Sequence, residues 1–371
     1  MVTELPESEL RSAVATLLGG AVDPGPWSTE PVAYESGSPA TGDLLRVRGT
    51  AADGRRWSVF VKVLQHARHW PRLDQVPADV REWFVRDFPW RQELDAWAEP
   101  FAGRLPAGVR VPELYRLTEL PDDRALLWME DVDAVPDAEW TPDMFTRAAF
   151  ALGGLAALRS TPEVLASTPL PPGFALRVYV NGRVLQAAVP VLSDDAAWRH
   201  PLLAEVDDRL RADLLRLADA LPAVLDRLDT LPRALPHGDA SPQNLLVPRD
   251  SPAEFVAIDI SFQCPLAVGF DLGQLLVGLA HAGHLPAAAL PGIHATLVPA
   301  FVAGMRASGV DADPADVAYG YVGGLVARAA FTSLPYELLG APVTDELRAL
   351  FRQRAELCRF MADLGLELLD R

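Results

Sequence analysis

His237-Gly238-Asp239-Ala240-Ser241-Pro242-Gln243-Asn244 decides the reading of this chain, together with Asp259, which closes the apolar run Phe255-Val256-Ala257-Ile258. Asp239 offers a carboxylate able to take a proton from a hydroxyl. Asn244 and Asp259 offer hard oxygen donors. Moving a γ-phosphoryl group needs both kinds of group, a carboxylate to orient the attacking hydroxyl and oxygen ligands to hold Mg²⁺ against the phosphates. Taken alone, Asp-Ala-Ser-Pro is also good turn chemistry, so the weight of the stretch depends on what the rest of the chain supplies.

The chain has 371 residues, more than one average domain and enough for two lobes with separate cores. Half of the residues are hydrophobic and 22% are charged, the profile of a folded globular protein. A formal charge of −17 argues against nucleic acid or anionic membrane as a partner. It is compatible with a cationic substrate, although acidic surfaces commonly serve solubility. Cys264 and Cys358 lie far apart without CxxC spacing, which indicates neither a disulfide framework nor a zinc site. The start, Met1-Val2-Thr3-Glu4-Leu5, is acidic where a secretory leader is basic, and no uninterrupted apolar run reaches the length of a membrane span. These features predict an unprocessed cytoplasmic protein.

Apolar positions 10, 13, 14, 17 and 18 predict an N-terminal helix over residues 7–19, ended by Gly19-Gly20. Three strand-like runs follow at 28–36, 43–50 and 56–64, with Ala52-Asp53-Gly54 as a turn between the last two. Between the first two lies Glu35-Ser36-Gly37-Ser38-Pro39-Ala40-Thr41-Gly42, small enough around Ser38 for its backbone to approach phosphates. Lys62 sits among apolar neighbours on the third run, and Glu93 lies near the start of a helix-like segment from Trp90 to about Phe101. Glu93 shares a helical face with Leu94 and Trp97, so it can point toward a sheet, with Glu82 as a fallback. Runs at 113–120 and 124–130, joined by Pro121-Asp122-Asp123, complete a five-stranded antiparallel sheet.

From residue 141 on, helical spacing dominates, over 141–159, 202–228, 271–283, 287–307, 313–332 and 343–369. One exception is expected: Phe174–Val180 and Val184–Val191 flank Asn181-Gly182, a hairpin signal, and the hairpin would serve as a flap or a cover for substrate. The expected fold class is α+β and bilobal, a small sheet lobe at 1–131 followed by a larger, mainly helical lobe at 132–371.

Lys62, Glu93, the hinge-like Met129-Glu130-Asp131-Val132, HGDASPQN and the Asp259 segment occur in the order found in the aminoglycoside phosphotransferase family, which this chain resembles. That family shares the protein-kinase-like fold with choline kinase and several sugar kinases. Its second signature usually reads Ile-Asp-Trp followed by Gly…Asp-Leu, and here Ile258-Asp259-Ile260…Gly269-Phe270-Asp271-Leu272 departs from it at Ile260. The resemblance implies that Asp239 is the catalytic base and that Asn244 and Asp259 bind Mg²⁺. It implies that Lys62, paired with Glu93, anchors nucleotide phosphates near Ser38, and that the Glu130 carbonyl and Val132 amide meet the adenine edge. His237 and Asp271 would brace the catalytic loop, Asp271 from the start of a helix.

The implied activity is transfer of the γ-phosphoryl group of ATP, or GTP, to a hydroxyl of a small polar molecule, with an antibiotic or other natural product as the first candidate. A metabolic kinase for a sugar, amino sugar or amino alcohol shares the same motifs. A catalytically silent pseudokinase is the reading from another class, and the presence of Lys62, Asp239, Asn244 and Asp259 argues against it. No Ala-Pro-Glu-type activation segment follows Asp259, which disfavours a protein kinase. The acceptor pocket and the oligomeric state leave no mark in the sequence.

Overall fold

The computed structural model describes residues 4–32, 37–76, 78–98, 103–204, 206–260 and 264–370. Two compact units are present, Met1–Ala102 with Val111–Asp133, and Gly103–Arg110 with Ala134–Arg371. Residues 103–110, which the sequence places in the first lobe, belong to the second unit because Val109–Arg110 pairs in parallel with Phe255–Val256.

The first unit is built on a five-stranded antiparallel sheet in the order Trp27–Pro31, Thr41–Thr50, Arg56–Gln65, Arg124–Glu130, Leu114–Leu120. Alternation along Arg56–Gln65 gives each face of the sheet its own core. Trp57, Val59, Val61 and Val63 pack with Leu45, Val47, Leu126 and Trp128 against Leu10, Ala13 and Val14 of the helix Glu7–Leu17. On the opposite face Leu64, Leu127 and Met129 gather Phe60, Trp90, Leu94 and Trp97. Lys62 alternates onto this second face. Of the helix expected from Trp90 to about Phe101, the described part holds a short 3₁₀ turn, Gln92–Trp97, preceded by the α-helix Ala78–Asp87, and residues 99–101 lie outside the described residues. Pro89 disfavours helical geometry at Phe88, which separates this turn from the helix before it.

The second unit is mainly helical: Pro142–Leu158, Asp208–Leu228, Asp271–Ala282, Leu290–Ala307, Pro314–Leu325 and Asp345–Leu369. The helix expected to start at 202 starts at Asp208, where the Asp207 carboxylate accepts from Arg209 N at 2.9 Å as an N-cap. The expected hairpin around Asn181-Gly182 is absent. Phe174–Tyr179, a π-helical stretch Val180–Ala188 and Val189–Ser193 form a continuous helical run, with Leu176, Val180, Val184, Ala188 and Leu192 buried. That four-residue spacing places one apolar stripe against the unit, and burying the stripe outweighs the local turn preference of Asn-Gly.

Ala287–Ala307 is long and apolar enough to cross a membrane by length and composition, with a mean hydropathy of 1.5. Its Leu290, Ile293, Leu297, Phe301 and Met305 are buried in this unit. Helices Pro142–Leu158 and Leu290–Ala307 approach backbone to backbone. A Cβ on Gly153 would lie 2.0 Å from the Phe301 carbonyl oxygen, and one on Gly304 would lie 1.9 Å from that of Phe150. Gly304→Ala is therefore expected to cost about 3 kcal/mol, the upper end of ordinary overpacking, because a backbone carbonyl cannot rotate away. Gly292→Ala in the same helix meets nothing within 4 Å and should stabilise by about 0.5–1 kcal/mol. Urea melts of the two variants check the pair, and a Gly304→Ala protein as stable as the parent would refute the close-contact account.

Candidate active site

In the first unit the Lys62 ammonium lies 2.7 Å from Glu93 Oε2, with both side chains largely buried. Strand alternation aims Lys62 at the face where Trp90, Leu94 and Trp97 are packed, and the Trp97 indole donates to the Pro112 carbonyl at 2.9 Å. This anchor fixes the turn that carries Glu93. The structure thus brings Lys62 and Glu93 together through a shorter element than the sequence suggests, and Glu82, on the preceding helix, is exposed.

Ser38 is half-buried in a turn, its Oγ accepting from Ala40 N at 3.3 Å. Residues 33–36 of the same segment lie outside the described residues. Glu130 ends its strand opposite Val59, and its N–H donates to the Glu113 carbonyl at 2.9 Å. Val132 follows in coil, half-buried. Between them Asp131 is held by Arg46 Nε at 2.8 Å and by Ser58 Oγ at 2.5 Å, which ties the connector to two strands of the sheet.

In the second unit the HGD loop follows the short strand Arg233–Ala234, paired antiparallel with Leu266–Ala267. Gly238 has φ of +88°, a left-handed conformation that a side chain would strain. That conformation presents successive backbone donors to one carboxylate. Asp271 Oδ2 accepts from His237 N at 2.9 Å and Oδ1 from Gly238 N at 2.8 Å. Asp271 heads the helix Asp271–Ala282, where an acidic group is favourable. Burial pushes its carboxyl above the usual range, while nearby His237, the two N–H donors and Arg159 oppose the shift. Burial also lowers the pKa of the His237 imidazole, and its Nδ1 accepts from Asp239 N at 3.3 Å. Arg159 is fully buried beneath the loop's flank, with its pKa pushed down to about 9 by burial.

Asp239 is held from two sides. Arg328 Nη2 donates to its Oδ1 at 2.8 Å, and Asn244 Nδ2 donates to its Oδ2 at 3.1 Å and to its carbonyl at 2.8 Å. The 3₁₀ turn Pro242–Asn244 brings the Asn244 side chain back to Asp239. Asn244 is then linked to the Asp259 segment, because Leu245–Leu246 pairs with Val256–Ala257 and Ile258 N donates to the Asn244 carbonyl at 3.0 Å. Asp259 itself has φ of +53°. A non-glycine residue in this region is uncommon and costs about 1–3 kcal/mol, a kind of strain that clusters at functional sites.

The donor set fits Mg²⁺. With its Nδ2 committed to Asp239, the Asn244 amide directs its oxygen elsewhere, and Asp259 adds a carboxylate one strand away. Among the described residues no group of three or more His, Cys, Asp or Glu side chains could hold a metal. Mg²⁺ needs no such cage, since it commonly keeps waters and takes one or two protein ligands alongside substrate phosphates.

Sequence reading missed Arg328. Its signal is faint: an arginine in the small and apolar run Val322-Gly323-Gly324-Leu325-Val326-Ala327-Arg328-Ala329-Ala330.

A unit of five antiparallel strands bearing a buried Lys–Glu pair, and a mainly helical unit bearing the HGD loop, define an α+β protein-kinase-like fold. The chain is similar in structure to an aminoglycoside phosphotransferase from Alicyclobacillus acidocaldarius, with 16% identity and a TM-score of 0.54 over 100% of this chain and 98% of that one. It is also similar to a microcompartment-associated aminopropanol kinase, with 16% identity and a TM-score of 0.51 over 92% of this chain and 94% of that one. No protein-family model and no curated protein matches the chain.

Proposed function

We propose that this protein is a nucleotide-dependent O-phosphotransferase that moves the γ-phosphoryl group of ATP, or of GTP, to a hydroxyl of a small polar molecule. The observation that carries this reading is the hold on Asp239, one carboxylate oxygen on Arg328 and the other on Asn244, in a loop tied to Asp271. A carboxylate held this way needs little reorganisation when it takes a proton. In the step, the acceptor oxygen bonds to the γ-phosphorus while the bond from phosphorus to the β,γ-bridging oxygen breaks. The nucleoside diphosphate leaves with that electron pair, and the hydroxyl proton passes to Asp239.

Lys62, oriented by Glu93, would bind the α- and β-phosphates, with the backbone near Ser38 beside them. The Glu130 carbonyl and Val132 amide would meet the adenine edge. Asn244 and Asp259 would hold Mg²⁺, which neutralises charge on the phosphate oxygens. His237 and Asp271 keep the loop in shape. Lys62→Met is expected to raise the nucleotide KM at least tenfold and to lower kcat/KM about 10²–10³-fold, the usual effect of removing one electrostatic stabiliser. Initial rates against nucleotide concentration check it, and an unchanged nucleotide KM would remove Lys62 from the phosphate site.

The acceptor we assign is an antibiotic or other natural product, modified in the cytoplasm where the nucleotide is supplied. A metabolic kinase for a sugar, amino sugar or amino alcohol is the second reading, because the catalytic residues serve both. Nucleoside diphosphate release, measured with Mg²⁺ and either nucleotide across aminoglycosides, other natural products, sugars and amino alcohols, decides between them. Turnover of sugars or amino alcohols alone would overturn the assignment of an antibiotic or other natural product as acceptor. Nucleotide binding with no turnover of any acceptor would leave a pseudokinase.

A further inference from the structure

Arg328 lies in a π turn, Val326–Ala330, that continues the helix Pro314–Leu325. Its neighbours Val326, Ala327, Ala329 and Ala330 are buried. A π turn shifts the phase of the side chains that follow and recurs at functional sites. Here the turn delivers a guanidinium to the catalytic loop. Nη1 donates to the Gly238 carbonyl at 2.6 Å and Nη2 to Asp239 Oδ1 at 2.8 Å. The guanidinium carbon lies 5.9 Å from the centroid of Phe270, the residue before Asp271, within range of a cation–π contact. On the far side, the Thr332 hydroxyl donates to the Arg328 carbonyl at 3.0 Å and lies 3.3 Å from the Tyr179 hydroxyl.

We propose, building on the phosphotransferase reading, that Arg328 is a positioning residue that sets the direction of the Asp239 carboxylate for proton transfer. The geometry distinguishes direction from mere charge. A planar fork bonded at once to the carbonyl of one residue and the carboxylate of the next fixes the rotamer of Asp239 relative to its own backbone. Asp271 holds the loop by its amides, Arg328 by its carbonyl and side chain, and Asn244 closes the opposite carboxylate oxygen. An ammonium cannot reproduce that fork, so charge alone should not replace Arg328.

The test compares Arg328→Met, Arg328→Lys, Asp239→Asn and the double variant Asp239→Asn/Arg328→Met in steady-state kinetics, with nucleotide affinity measured separately by calorimetry. Arg328→Met should lower kcat about 10²-fold, the scale of a small misplacement of a catalytic group, with nucleotide Kd changed less than threefold. Arg328→Lys should recover only part of the loss. The double variant should lose no more kcat than Asp239→Asn alone, because Arg328 acts through Asp239. A folded Arg328→Met or Arg328→Lys protein that keeps the wild-type kcat overturns the proposal, as does a double variant whose losses multiply. These outcomes leave the phosphotransferase reading standing. Wild-type protein that binds nucleotide and turns over no acceptor overturns both.

Discussion

Asp239→Asn is expected to lower kcat by about 10³-fold, within the 10²–10⁴ range for loss of a positioned general base, while the Kd for Mg-nucleotide stays within about threefold. The substitution is close to isosteric. The amide oxygen can still accept from Arg328 Nη2, now 2.8 Å from Oδ1, so the loop keeps that bond. What is lost is a group able to receive the acceptor's proton, a negative charge, and the bond from Asn244 Nδ2 to Oδ2, where the new amide nitrogen cannot accept. Rapid-quench measurement of the chemical step, alongside calorimetry of nucleotide binding, separates the effect on chemistry from the effect on binding. A variant with wild-type kcat would remove Asp239 from the base role. One that loses nucleotide binding to the same degree as activity would assign Asp239 to the metal site instead.

Asp271→Ala carries the second large expectation, on stability as well as rate. The Asp271 carboxylate is the acceptor for two backbone N–H groups, those of His237 and Gly238, at a buried position. An orphaned buried donor costs about 1–3 kcal/mol, so losing this acceptor should cost about 2–6 kcal/mol in all. Gly238 holds a left-handed conformation that turns its N–H toward Asp271, so the loop should also drift from its geometry when that acceptor is lost. We expect a urea midpoint well below wild type and, in the protein that remains folded, a kcat at least tenfold lower. Asp271→Asn keeps one acceptor oxygen and should fall between the two. An Asp271→Ala protein within 0.5 kcal/mol of wild type would show that water or the relaxed loop satisfies both donors.

Much of the fold was legible because its signals are local. Strands at 43–50 and 56–64 announce themselves by alternation, 124–130 by a short apolar run between charged ends, and Gly54, at φ of +86°, completes the turn expected at Ala52-Asp53-Gly54. The Asn181-Gly182 hairpin failed for the opposite reason. A two-residue turn preference competed with an apolar stripe five positions long, and the stripe wins only once there is a surface to bury it. Glu93 was placed opposite Lys62 although the segment is a 3₁₀ turn and no α-helix, because Leu94 and Trp97 carry the docking in either conformation.

The sequence by itself determined which chemical groups this protein owns and in what order: a carboxylate in an HGD turn, an amide after it, a carboxylate at a strand end, and an ammonium on a strand. Those depend on residue type and short-range spacing. Only the tertiary structure decided how Asp239 is held, since Arg328 reaches it across 89 residues of chain and no local pattern encodes that meeting. It likewise brought two backbone donors onto Asp271, at sequence distances of 34 and 33 residues. Such contacts arise when helices and short strands bury their apolar faces, and the polar groups carried along must then find partners or pay for desolvation.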